Sequence, residues 1–213
     1  MKRAALILAV SLLAACASHT PPPDWLLRAD AARDAHARFW LEGRDKLADG
    51  QLALARAAVR QTGDASAMAR IELHACAVRM AALGAADCPA FAELADDAGR
   101  REQVYGAYLA GHLDNADIGL LPEAQALAWR NPAALKELAD PLSRLLAAAV
   151  LFRSNRLPPD GIALAIDTAS AQGWRRPLLA WLTLERERRQ RNGDAEGAAA
   201  IERRLARIVG ERR

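Results

Sequence analysis

Cys76 and Cys88 are the two cysteines in the body of the chain. With His74 and His112 nearby, they are the residues whose types could support redox or metal chemistry. In a helix that ends near Leu83, Cys76 lies about 10 Å before the end of the axis. The five steps from Leu83 to Cys88 can retrace that distance if extended. A disulfide is therefore allowed, with two buried free thiols as the alternative, and such a bridge contributes up to about 3 kcal/mol. Shared metal ligation is disfavoured, because His74 and Cys76 are two apart on one helix and diverge by about 200°. The sequence has no CxxC, HExxH or CxxCH pattern, so neither metal nor cofactor is expected. His36, His74 and His112 read as packing or surface residues.

Hydrolytic chemistry has as little support. There is no GxSxG elbow and no glycine-rich phosphate loop. Asp96 and Asp97 sit at adjacent helical positions and diverge, and Glu72 and Glu102 are the carboxylates that a helical glycosidase would have to recruit. The expectation is a protein that is not an enzyme. Most of the tryptophans and phenylalanines must be core in a chain so rich in alanine. Trp174 stands apart, in the turn Gln172-Gly173-Trp174-Arg175-Arg176-Pro177. A tryptophan beside two guanidiniums can supply burial and charge-assisted hydrogen bonds, so Trp174, Arg175 and Arg176 are the candidate partner-binding residues. A wedge between helices is the alternative role for Trp174.

The elements that must position these residues are helical. Hydrophobic residues make up 52% of the chain and aromatics only 5%. Alanine dominates the first figure, and alanine is the strongest helix former. An all-α protein of about ten helices, packed as antiparallel hairpins, is predicted. Asp24 is placed to cap a helix running towards Leu41, with breaks at Gly43 and at Ala48-Asp49-Gly50. A second helix follows from about Gln51 to Gln61, and Asp64 caps a third through Leu83. A short helix follows Pro89, and another spans Arg101 to His112. Pro122 and Pro132 mark two short helices. Four regular helices close the chain at about 141–155, 159–172, 177–191 and 194–209.

Those last four pair at a period near 36, with Pro141 matching Pro177 and Leu146 matching Leu182. A recurring helix pair is the unit of an α-solenoid. Phe39, Gly43, Gly50, Ala55 and Val59 fall at the spacing of the packing positions of a tetratricopeptide repeat, and over about 34 residues the chain resembles that family. Glu42, Lys46, Arg186 and Arg189 depart from its pattern. The resemblance implies a short solenoid with a groove for a peptide or protein segment.

The N-terminus carries an address. Lys2 and Arg3 precede a twelve-residue run, Ala4 to Ala15, with Ser11 its one polar residue. The run suits a signal segment and is too short to span a bilayer. It ends in Leu13-Ala14-Ala15-Cys16, and here the chain resembles bacterial lipoproteins, whose lipobox is a branched apolar residue, two small residues and a cysteine. That resemblance implies removal of residues 1–15 and lipidation of Cys16. Ala17, where an aspartate would retain the protein at the inner membrane, implies the periplasmic face of the outer membrane. Several acyl chains hold a protein stably where one binds marginally. Export also places Cys76 and Cys88 in an oxidising compartment, where two thiols read first as a disulfide. Residues 16–23, ending in Pro21-Pro22-Pro23, form a stiff tether of polyproline II type, and residues 24–213 form the helical domain.

Without Lys2 and Arg3 the chain holds 27 basic and 26 acidic residues, so it is nearly neutral. The segment from Trp174 to Arg213 holds 11 basic and 6 acidic residues, against 16 and 20 in residues 16–173. A basic end suits an acidic partner or anionic lipid headgroups, and nucleic acid is not expected for a periplasmic protein. The leading expectation is a non-enzymatic adaptor that binds an envelope protein in assembly, secretion or cell-wall maintenance. A peptidoglycan-acting enzyme or its regulator, and a lipid or small-ligand carrier, are the alternatives. The sequence leaves the oligomeric state open.

Overall fold

The structure is a computed structural model and describes residues 21–210. Cys16 and the lipobox lie outside the described residues. The chain is all-α, with ten α-helices and two 3₁₀ segments among the described residues. In order they are α1 (Asp24–Glu42), α2 (Asp45–Arg60), α3 (Ala65–Met80), α4 (Pro89–Ala92) and α5 (Arg100–Ala110). A 3₁₀ segment (Asn115–Leu120), α6 (Glu123–Arg130) and a second 3₁₀ segment (Pro132–Glu137) follow. The series ends with α7 (Pro141–Arg153), α8 (Gly161–Ala171), α9 (Arg175–Arg191) and α10 (Ala195–Val209).

Local chemistry sets most of these boundaries. Pro23, with φ −64° and ψ 148°, takes polyproline II geometry and is itself the N-cap of α1. Asp24 is therefore the first helical residue, where its charge favours the helix dipole, rather than the expected cap. Asp64 caps α3 by accepting from Ala67 N–H, Asp140 caps α7 through Ser143 N–H, and Asp194 caps α10 through Gly197 N–H. Gly43 ends α1 in the left-handed region at φ +86°, a conformation that glycine adopts without steric cost.

One expected break does not occur. Ala48-Asp49-Gly50 is helical, so α1 and α2 form a hairpin joined only by Gly43 and Arg44. Ala48 is fully buried against the neighbouring helix, while Gly50 lies on the exposed side with nothing near its missing side chain. Packing of Ala48 outweighs the roughly 1 kcal/mol that glycine costs inside a helix.

The C-terminal pairs recur more tightly than the sequence suggested. Helix starts fall 34 residues apart, at 141 and 175 and again at 161 and 195. Trp174 rather than Asp-Pro opens α9, which puts Pro177 at the third helical position instead of the first. Arg186 and Arg189, which break the repeat pattern, hold this hairpin together. Arg186 pairs with Glu202 of α10 at 2.7 Å, and Arg189 bridges Glu185 and the capping Asp194.

Helix α7 is the centre of the molecule. Every residue from Leu145 to Leu151 is buried, as expected for a helix surrounded on all sides. Its neighbours include α3, α5, α6 and α8. The main core joins Leu41, Leu145, Leu151, Trp181, Leu182 and Leu205. Trp181 is fully buried and its indole N–H donates to the Ala81 carbonyl at 3.0 Å, so its polar edge is satisfied. A second cluster gathers Met80, Tyr108, Trp129, Leu146 and Val150, and a third packs α1, α2 and α3 through Ala29, Leu52, Ala55, Val59 and Ile71.

Candidate binding furrow

Two clefts, each of about 490 Å³, share His74 in their lining. Both are flanked by α1. Arg33 faces the first, whereas Asp34, Ala37, Arg38, Leu41 and Glu42 face the second. These residues follow one another at helical spacing, so one stripe of α1 forms a common wall. Both clefts lie along that stripe, and the surface they occupy is the candidate furrow.

At the first end, α3 supplies Arg70 and Leu73, and α5 supplies Arg101, Glu102 and Tyr105. Leu120, Leu121 and Pro122 close the floor from the turn before α6. Arg33 is held by Asp30 at 3.0 Å and Asp34 at 3.1 Å. Arg70 pairs with Glu102 at 2.9 Å. Arg101 is exposed and forms no ion pair among the described residues. Three guanidiniums thus line this end over an apolar floor, two of them neutralised by carboxylates of the chain and Arg101 alone without an ion pair among the described residues.

At the other end the balance reverses. Asp34, Glu42 and Asp140 line the wall with Arg38, above Ala37, Leu41, Leu142 and Trp174. Of these carboxylates Asp34 is the partner of Arg33 and Asp140 caps α7, which leaves Glu42 the least engaged. Between the two ends stands His74. Burial pushes its pKa down to about 4, with the nearby Arg33 charge acting in the same direction. The imidazole is therefore neutral at neutral pH and separates the two charged ends without adding to either.

Among the partner-binding residues expected from sequence, the structure brings Trp174 to the furrow and leaves Arg175 and Arg176 outside its lining. Trp174 is half-buried, packs against the main core and lines the acidic end, so it serves both as a wedge and as a wall. Arg175 is exposed. Arg176 is engaged within the chain: it forms an ion pair with Asp45, and its guanidinium lies 4.4 Å from the centroid of the Trp40 ring. It ties the α9 start to the α1–α2 hairpin. Cys76 and Cys88 are joined by a disulfide, with Cα atoms 5.7 Å apart. The bridge fastens α3 to the segment leading into α4. Phe91 of α4 then rests on Gly106 of α5, where a Cβ would run into its ring.

Glu72 and Glu102 serve as ion-pair anchors. Glu72 takes a bidentate pair from Arg56 at 2.6 Å to each oxygen, tying α2 to α3. Glu102 ties α5 to α3 through Arg70. His112 is exposed, His36 is buried, and no cluster of three or more metal-ligating side chains occurs among the described residues.

Sequence reading missed the furrow residues Arg33, Arg38, Arg70 and Arg101. One signal was available: Arg33-Asp34, Ala37-Arg38 and Leu41-Glu42 recur every four residues and put alternating charges beside small and apolar groups on a single stripe. No family model, no curated protein and no solved structure matches the chain.

Proposed function

We propose that this chain is a lipid-anchored adaptor on the periplasmic face of the outer membrane, and that it seats an extended segment of an envelope protein in the furrow along α1. The address rests on the lipobox resemblance at Leu13-Ala14-Ala15-Cys16. The binding role rests on one observation: clefts with an apolar floor and charged walls, set along one stripe of α1. Apolar floors with a few directing charges are the usual make-up of ligand and peptide sites. The rim residues Arg38, Arg101 and Asp140 are exposed, so a chain can enter from the side without unfolding any helix. An open furrow suits a polypeptide better than a lipid, whose acyl chains need a closed apolar cavity.

Photo-crosslinking in the native envelope tests this reading. A photoreactive residue at position 38, inside the furrow, is compared with one at position 60, exposed at the end of α2. The proposal expects a discrete protein adduct from position 38 and none from position 60. No adduct from position 38, or the same adducts from both, would overturn it.

A further inference from the structure

We infer that the first cleft holds a carboxylate, bound by Arg101 and Tyr105 of α5, with the apolar group beside it seated on Leu73, Leu120 and Leu121. This inference rests on the adaptor reading above and names what the partner presents: a C-terminal carboxylate next to an apolar last side chain. At about 490 Å³ the cleft has the size that small ligands occupy.

The charges that line this cleft resolve to one. Arg33 is neutralised by Asp30 and Asp34, and Arg70 and Glu102 neutralise each other. Arg101 is exposed and forms no ion pair among the described residues, so it is the uncompensated cation of the site. A planar guanidinium matches a carboxylate in a bidentate pair. A phosphate carries nearly two negative charges at neutral pH and would set the second against Glu102.

Two polar groups of the lining are left without partners by the chain itself. Tyr105 follows Arg101 by four residues, so the two side chains share one face of α5. The Tyr105 ring is stacked on Tyr108 with centroids 5.9 Å apart, and its hydroxyl makes no hydrogen bond among the described residues. Burial keeps that hydroxyl protonated, so it remains a donor to a carboxylate. On the α3 wall His74 keeps a buried Nε2 that is likewise unpartnered among the described residues. Buried polar groups are normally paired, so both point to a ligand that supplies what the chain does not. A C-terminal residue carries its carboxylate and its side chain on one Cα, and both fit a single cleft at once. An internal acidic residue would have to lead the chain out of it in two directions.

The test is a nuclear magnetic resonance titration of full-length protein in detergent. The probes are acetyl-Ala-Leu-Leu as the free acid, the same peptide as its C-terminal amide, and octanoate. The inference expects the free acid to shift the Tyr105 and His74 resonances and to bind about tenfold tighter than the amide. Arg101→Gln should remove that difference, and Tyr105→Phe should weaken the free acid about threefold. Arg60→Gln, at an exposed position on α2, should change neither. All three variants should keep wild-type circular dichroism, since Arg101 and Arg60 are exposed and Tyr105→Phe retains the ring. Equal binding of acid and amide, binding of neither, or a preference that survives Arg101→Gln would overturn the inference. A position-38 adduct would then leave the adaptor reading in place. Octanoate bound as tightly as the free acid, with the same dependence on Arg101 and no adduct from position 38, would assign the carboxylate seat to a free acid. That result would overturn the chain-end form and remove the adaptor reading with it.

Discussion

His36 and His74 stand edge-on between α1 and α3, their ring centroids 6.5 Å apart, and each keeps a buried Nε2 without a hydrogen-bond partner among the described residues. The other nitrogen of His36 donates to the Ala48 carbonyl, because a carbonyl only accepts. Burial holds both imidazoles below their ordinary pKa, His74 down to about 4. Arg56, Arg79 and Asp49 face His36, and Arg33 and Asp34 face His74.

The pair makes stability depend on pH. Between pH 6.5 and about 4 the unfolded chain binds a proton at His74 and the folded chain does not, and the lowered pKa of His36 acts in the same direction. Stability is therefore full above pH 6.5 and falls as the pH drops through that window, by on the order of 2–3 kcal/mol for His74. Denaturant unfolding at pH 7.5, 5.5 and 4.5 checks this. His74→Gln should flatten the slope, and an unchanged slope would show that other groups cause it.

Reduction of the Cys76–Cys88 bridge should lower the melting temperature by several degrees. The bridge closes a loop with a sequence separation of 12, for which the chain-entropy argument gives up to about 3 kcal/mol. For a domain of this size 1 kcal/mol moves the midpoint by roughly 2–4 °C. Thermal scans with and without reductant measure it, and alkylation of both thiols without reductant would contradict the bridge.

Arg56→Ala should destabilise the fold by about 2–3 kcal/mol, because it leaves the buried Glu72 carboxylate without its bidentate partner. Adding Glu72→Gln should recover part of the loss. If Arg56→Ala alone is neutral under urea unfolding, the pair does not hold α2 to α3.

Arg175 and Arg176, neighbours in sequence, should behave differently. Arg175→Glu changes an exposed side chain and should leave stability within about 0.5 kcal/mol. Arg176→Glu places a carboxylate beside Asp45 and removes the cation from the Trp40 ring, so it should cost about 1–2 kcal/mol. Equal effects in chemical unfolding would refute the assignment of Arg176 to the α1–α2 contact.

The all-α class and most hairpin boundaries were legible because punctuation was local. Asp64, Asp140-Pro141 and Gly193-Asp194 each stop or cap a helix by chemistry within three residues. Gly50 misled because its neighbour Ala48 is pinned by a partner helix that no local pattern reveals. Arg176 looked available because its acid, Asp45, lies 131 residues earlier. The furrow was hidden for the same reason. Arg33, Arg70, Arg101 and Leu120 come from four separate elements, and each alone reads as an ordinary surface or core residue.

The central claim is that a partner segment lies in the furrow rather than on the basic C-terminal helices. Amide hydrogen exchange of the full-length protein, with and without the segment recovered by crosslinking, tests it most directly. The account predicts slowed exchange along residues 33–42 of α1, around Arg70 to His74 and at Leu120 to Pro122, with α10 unchanged. Protection confined to α9 and α10, where the sequence concentrates its positive charge, would contradict it.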